Sequence, residues 1–245
     1  MKTATEVQLT QSIVPMPEDI VRRYRENRNW SFYEKEWIYR NFPPAGQCWL
    51  DFGCGTGEIT SQLCLLGASR VIAVDISPEL VQMTKRRAKS DCVSERVRAE
   101  CGDIRDLTPE PVNVALAFAV LHHVPDQLDS FVRAISRWVS SDGVFIFSEP
   151  FCATPAIERL RKHSGVSYDD LDEGERKLTP HDLGIIHKHF ASMELIHFRL
   201  VNRLSRIFPR SEHFLRRIDA AMRPIPAFKF LAGTVLGVCR GPISS

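Results

Sequence analysis

Five short apolar runs alternate with amphipathic stretches over the first 150 residues: CWLDFG (48–53), RVIAVDI (70–76), RVRAECGDI (96–104), VNVALAFAVL (112–121) and GVFIFSEP (143–150). Each is continuous in Val, Ile, Leu, Ala and Phe rather than alternating, which is the pattern of a strand buried on both faces of a parallel sheet. Between them Glu58 to Leu66, Pro78 to Ser90 and Gln127 to Val139 carry apolar residues at helical spacing, and Ser77 before Pro78 reads as a cap with proline in the first turn. Parallel strands need crossover connections, so this order predicts a doubly wound, Rossmann-like α/β sheet with helices on both faces. Two later runs, MELIHFRL (193–200) and LAGTVLGVCR (231–240), supply the last strands and bring the sheet to seven. The sheet is expected to be mostly parallel, with an antiparallel last strand.

Three regions fall outside that core. Residues 1–45 are polar and aromatic, with Tyr24, Trp30, Phe32, Tyr33, Trp37 and Tyr39, and read as an N-terminal helical cap ahead of the main domain at 46–245. Residues 151–180 combine a short basic helix with the acidic loop YDDLDEGE and suit a lid over a substrate. Residues 199–229 form a basic amphipathic insert: eight Lys and Arg stand against Glu212 and Asp219, interleaved with Phe208, Phe214, Leu215, Ile218 and Met222.

Composition narrows the function classes. The net charge is only +2, so no whole-chain electrostatic footprint points to nucleic acid, and no nucleic-acid partner is expected. The seven cysteines are irregularly spaced, with no CxxC pair, so reduced thiols and no metal site are expected. The N-terminus has no continuous apolar core of a signal peptide, and the cytoplasm is the expected location.

The segment with most chemistry is Asp51-Phe52-Gly53-Cys54-Gly55-Thr56-Gly57, at the end of one apolar run and the start of a helix. Glycines there permit a tight turn and close approach of backbone to a ligand. A dinucleotide fingerprint would need glycine at 58, where Glu58 stands; Asp51 ahead of the loop also repels a pyrophosphate. A nicotinamide-dependent oxidoreductase is therefore disfavoured. Asp75 ends the second run, where a carboxylate can accept both hydroxyls of a ribose. Asp103, in CGDI after the third, is placed to meet an adenine amino group.

Together DFGCGTG, VDIS and CGDI describe a site for a nucleoside with an amino-acid tail and no phosphate. In order and spacing, residues 45 to 150 resemble the class I S-adenosylmethionine-dependent methyltransferases. AVLHHVPD (119–126) is similar to the matching segment of small-molecule methyltransferases akin to those of ubiquinone and menaquinone biosynthesis. The resemblance implies that Gly53, Gly55 and Gly57, with Asp51, Cys54 and Thr56 in the same loop, line the methionine moiety. It implies further that Asp75, followed by Ile76, holds the ribose, that Gly102, Asp103 and Ile104 flank the adenine, and that Phe118 and Ala119 close the cofactor pocket.

The implied activity is methyl transfer to O, C or N of a small, lipophilic or secondary-metabolite acceptor. His122 and His123 stand just after the fourth run, at the carboxyl edge where open α/β sheets bind ligands, and either is a candidate general base. Glu149, at the end of the fifth run, is a candidate base or acceptor-binding carboxylate. A lipophilic acceptor fits the 199–229 insert as an interfacial helix in peripheral contact with a membrane. The alternative from another class is a non-catalytic S-adenosylmethionine-binding module; no NPPY-type tetrad follows the fourth run, which argues against adenine or glutamine as the methylated group.

Overall fold

The computed structural model describes residues 34–163, 175–201, 204 and 208–243. It contains the expected seven-stranded, doubly wound sheet in the order β3-β2-β1-β4-β5-β7-β6. The chain forms two compact units, one ending at Leu107 and the other beginning at Thr108.

In the first unit, α1 (residues 34–41) precedes β1 (Cys48–Phe52), α2 (Glu58–Leu65), β2 (Arg70–Asp75), α3 (Pro78–Ser90) and β3 (Val97–Cys101). β2 pairs in parallel with both β1 and β3, with Leu50 opposite Ile72 and Asp75 opposite Cys101. Trp49, Leu50, Val71, Ile72, Ala73 and Val74 are fully buried, as a run without alternation requires; β3 departs from the expected double burial, half-buried to exposed throughout, because it is the edge strand and alternates Val97 and Ala99 with Arg98 and Glu100. α3 has the predicted bounds because its start is locally encoded: the Ser77 hydroxyl accepts the Leu80 N–H at 3.2 Å, and Pro78 opens the first turn. The rest of the N-terminal cap, including Tyr24, Trp30, Phe32 and Tyr33, lies outside the described residues.

The second unit holds β4 (Val112–Phe118), α4 (Leu128–Ser136), β5 (Val139–Pro150), α5 (Pro155–His163), α6 (Pro180–His187), β6 (Phe190–Phe198), α7 (Glu212–Met222) and β7 (Thr234–Pro242). β4 and β5 are parallel, and β7 runs antiparallel to both β5 and β6. The partnership of the last two strands thus survives the long insert between them. β7 depends on one small residue: a Cβ at Gly237 would lie 2.2 Å from the Phe147 ring across the pair.

Several boundaries differ from the sequence reading: β3 ends at Cys101 and β4 at Phe118, each three residues short of its run, and β7 begins at Thr234 rather than 231. α4 stops at Ser136 and β5 begins at Val139 rather than 143, because the Val112 N–H bonds the Trp138 carbonyl and Val139 pairs with Val112. The sheet captures residues whose apolar spacing alone extends the helix. β6 begins at Phe190, three residues before Met193, where Phe190 stacks on Phe145 at 5.6 Å. Within the expected lid, α5 is the short basic helix; of YDDLDEGE only Glu175 falls among the described residues. Arg203 and Arg206 of the basic insert likewise lie outside them.

Candidate functional site

In the first unit the glycine loop leaves β1 and enters α2. Gly53, Gly55 and Gly57 have φ of 72°, 53° and 77°, in the left-handed region that side chains avoid. The Gly53 and Cys54 N–H groups both bond the Val74 carbonyl, at 2.8 and 3.1 Å, which ties the loop to the tip of β2. From that tip Asp75 accepts the Gly55 N–H at 2.8 Å on one oxygen and the Ser77 N–H at 3.0 Å on the other. Thr84 of α3 closes the loop from below: its hydroxyl donates to the Gly55 carbonyl at 2.9 Å, and a Cβ at Gly57 would meet the Thr84 Cα at 2.8 Å. A Cβ at Gly55, by contrast, would meet nothing within 4 Å. The loop is packed on one side and open on the other.

Asp51 is 1% exposed and accepts the Thr60 hydroxyl at 2.5 Å. Burial pushes its carboxyl up to about 6, against the opposing pull of that hydrogen bond and of Lys35. Burial and the Asp51 charge push the Cys54 thiol up to about 12, so Cys54 is a neutral packing group in the loop. Thr56 lends its carbonyl to Arg87 at 2.9 Å.

Ile76 exposes 73% of its surface beside Asp75, an apolar side chain open to a ligand. Asp103 is engaged: the Arg105 guanidinium grips both carboxylate oxygens, and the Arg105 N–H bonds one at 2.9 Å. These bonds hold the Asp103 carboxyl below its usual range. Ile104 is 1% exposed, so its side chain fills the core and only its backbone can face an adenine. Gly102 donates its N–H to the Asp75 carbonyl at 3.0 Å.

In the second unit Glu149, with no exposed surface, collects three donors. One oxygen accepts the Val120 and Leu121 N–H groups, both at 2.8 Å, and the other lies 2.7 Å from His122 Nδ1. With Glu149 as the acceptor Nδ1 carries the proton, and in the neutral ring the lone pair then lies on Nε2. The turn that presents these groups begins at Ala119, which has φ of 56° although it has a side chain, and whose N–H bonds the Ser148 carbonyl at 2.9 Å. Backbone held in that region is strained, and such strain collects at functional sites. Phe118, the last residue of β4, is half-buried.

His123 lies beside His122, ring centroids 4.0 Å apart, and its Nδ1 bonds the Glu175 carboxylate. Arg176 follows, its N–H on the His122 carbonyl at 3.3 Å and its guanidinium on both oxygens of buried Asp182, at 2.6 and 2.9 Å. Burial would raise the Asp182 carboxyl, but the bonds from Arg176 and Thr179 outweigh it and hold it at about 2. Asp182 also accepts the Thr179 N–H and hydroxyl, both at 2.7 Å, at the start of α6.

Sequence reasoning named His122, His123 and Glu149 but missed Glu175, Arg176 and Asp182 beside them in the second unit, and Thr84 beneath the glycine loop of the first. The only signal was the acidic stretch before Arg176. His122, His123 and Glu175 offer three ligand atoms within 4.8 Å of one another, a donor set compatible with a divalent cation. The hydrogen bonds just described account for the same arrangement without one.

Residues 50–143 match the profile of a methyltransferase domain. The ubiquinone biosynthesis O-methyltransferase of Xanthomonas axonopodis pv. citri (strain 306) is 30% identical over 128 residues, 51% of this chain and 52% of that protein. The chain thus spans about half the length of the curated relatives it matches. Among solved structures, the N-methyltransferase NodS from Bradyrhizobium japonicum WM9, in complex with S-adenosyl-L-homocysteine, superposes with a TM-score of 0.58 at 12% identity, over 98% of this chain and 100% of NodS. The [4+2]-cyclase SpnF superposes with 0.59 at 18% identity, over 86% and 82%. At such identities the likeness is one of fold, and one fold hosts more than one chemistry. Residues 50–143 are thus similar to methyltransferase domains, and the solved neighbours share the fold of the chain.

Proposed function

We propose that the protein binds S-adenosylmethionine and transfers its methyl group to O, C or N of a small, lipophilic acceptor. The observation that carries this reading is the glycine loop of the first unit, packed against Thr84 on one side and open at Gly55 on the other, with the Asp75 carboxylate at its rim. Gly53, Cys54, Gly55, Thr56 and Gly57 would hold the methionine part by letting it approach the backbone on the side where Gly55 carries no side chain. Asp51 would keep the loop closed through Thr60. Asp75 retains lone pairs for the ribose hydroxyls, and Ile76 offers an apolar surface for the adenine, with Gly102, Asp103 and the Ile104 backbone beside it. Phe118 and Ala119 are assigned to the cofactor on the family pattern.

Bound there, the cofactor supplies a methyl already activated by its positive sulfur, which leaves the protein to position the acceptor, exclude water and take a proton. In the second unit His122 is built for that last task. Its Nε2 would take the proton of an acceptor hydroxyl or amine, with Glu149 holding the Nδ1 proton and facing the resulting imidazolium. His123, its Nδ1 committed to Glu175, is the better candidate for orienting the acceptor.

Calorimetric titration with S-adenosylmethionine and S-adenosylhomocysteine tests the proposal. Binding by the wild type that is lost in Asp75→Ala is the expected result; equal affinity in the two proteins, or no binding by either, overturns it.

A further inference from the structure

We propose that the outward side of α7, with the chain flanking it, is a docking surface for an anionic lipid bilayer. Three phenylalanines among the described residues leave more than a third of their surface open, and all three are here: Phe208 at 59%, Phe214 at 65% and Phe230 at 44%. Ile225 at 45% and Leu204 at 38% are exposed in the same stretch of chain. Large side chains left in water in one short stretch mark a contact surface.

The orientation of α7 is set from within. Asp219 is 5% exposed and accepts the N–H groups of Arg199 at 3.1 Å and Val201 at 2.8 Å, which anchors the helix to the chain leaving β6. Arg223, one turn on, lies over the Phe198 ring at 4.1 Å. Leu215, Ile218 and Met222 are partly covered on that inner side, while Phe214, Arg217 and Ala221 are exposed at spacings of three and four residues, a single outward stripe.

Charge selects the occupant. Arg210, Arg217 and Lys229 are exposed with the phenylalanines, and Asp219 is buried and committed to backbone donors. Across 199–229 the sequence has eight cations against two acids, in a chain of net charge +2. Cations beside exposed apolar side chains match a membrane interface, where headgroup phosphates meet the former and acyl chains the latter. A nucleic acid would satisfy the arginines, but Leu204 and Ile225 would gain nothing against it. Among the described residues no helix is long and apolar enough to cross a membrane, so the contact is lateral.

This inference deepens the lipophilic-acceptor reading and takes its purpose from it, but its test needs no turnover. The full chain is sedimented with phosphatidylcholine vesicles that contain or lack phosphatidylglycerol. Binding is expected only with the anionic lipid, and it should weaken as salt rises. Reversing the charge at Arg210, Arg217 and Lys229 should lower partitioning about fivefold per cation or more. Phe208→Ser with Phe214→Ser should lower it about tenfold with the charge intact. Equal binding to neutral vesicles, no binding to either, wild-type partitioning in both variants, or stronger binding to a short RNA duplex than to anionic vesicles overturns the proposal. All the substituted side chains are exposed, so melting curves and S-adenosylhomocysteine titrations should match the wild type. A wild type that binds vesicles but not S-adenosylhomocysteine sinks the methyl-transfer reading and leaves this one standing.

Discussion

The two units make their chemistry in different ways. In the first, the candidate site is a backbone turn with open space on one side, produced by three glycines within five residues between a strand and a helix. In the second, they are side chains brought together from β4, β5 and the chain before α6: His122 meets Glu149 across 27 residues, and His123 meets Glu175 across 52. A site made of backbone conformation is local and tolerates little change at its glycines. A site made of side-chain hydrogen bonds is non-local, and single atoms can be altered while the fold stays.

The sharpest break of that contrast is Glu149→Gln. The amide oxygen can still accept the Val120 and Leu121 N–H groups, but its NH2 faces His122 Nδ1 and forces the ring into the other tautomer, with the proton on Nε2. The base is lost while the packing remains. Turnover should fall about 10²- to 10⁴-fold, with S-adenosylhomocysteine affinity unchanged. Steady-state kinetics beside calorimetry check this; a variant with full turnover removes His122 from the proton transfer.

The loop of the first unit should respond in the opposite sense, with two glycines that separate packing from binding. Gly57→Ala places a Cβ 2.8 Å from the Thr84 backbone at φ of 77°, and the clash and the strain together should cost about 2–5 kcal/mol of stability. Gly55→Ala meets nothing within 4 Å and carries only the strain of φ 53°, about 1–2 kcal/mol, but its methyl enters the open side of the loop. Denaturant melts should separate the two variants, while titration with S-adenosylhomocysteine should show binding lost in Gly55→Ala although most of its stability is kept. A Gly55→Ala protein that binds normally would move the cofactor away from the loop.

The same contrast decides what was legible in the sequence. β1, β2, the Ser77–Pro78 helix start and the glycine loop are written in neighbouring residues, and the structure holds them within a residue of where periodicity and capping place them; β3 and β4 end three residues short of their runs. β5 and β6 start earlier than their apolar runs suggest because their first residues are recruited by pairing and by the Phe145–Phe190 stack, which are long-range events. Ile104 reads as an adenine neighbour from its position after Asp103, but its apolar side chain is drawn into the core. Glu175 and Asp182 were invisible as site residues because nothing local distinguishes a carboxylate that will meet a histidine or an arginine from one that will meet water. His122 and Glu149 were visible because the carboxyl ends of parallel strands are where such folds place chemistry, though their bond to each other was not.

A final comparison sets one buried carboxylate of each unit against the other through pH. Asp51 is held at about 6 by burial, above the value near 4 of an unfolded chain, so the folded first unit binds more protons between those limits. Its contribution to stability is greatest below about pH 4 and is lost as pH rises through 6, a fall of about 3 kcal/mol. Asp182 is held at about 2, so its contribution is present above about pH 4 and lost as pH falls toward 2. That loss should be smaller, about 1–2 kcal/mol once the water around half-exposed Arg176 is allowed for. Denaturant midpoints measured across pH 2 to 7 should therefore show two windows of opposite slope. Asp51→Asn should flatten the upper window and leave the lower one, and Asp182→Asn should do the reverse. If Asp51→Asn leaves the upper slope in place, the Thr60 hydrogen bond and the nearby Lys35 charge hold Asp51 ionised across that range, and the upper window belongs to another group.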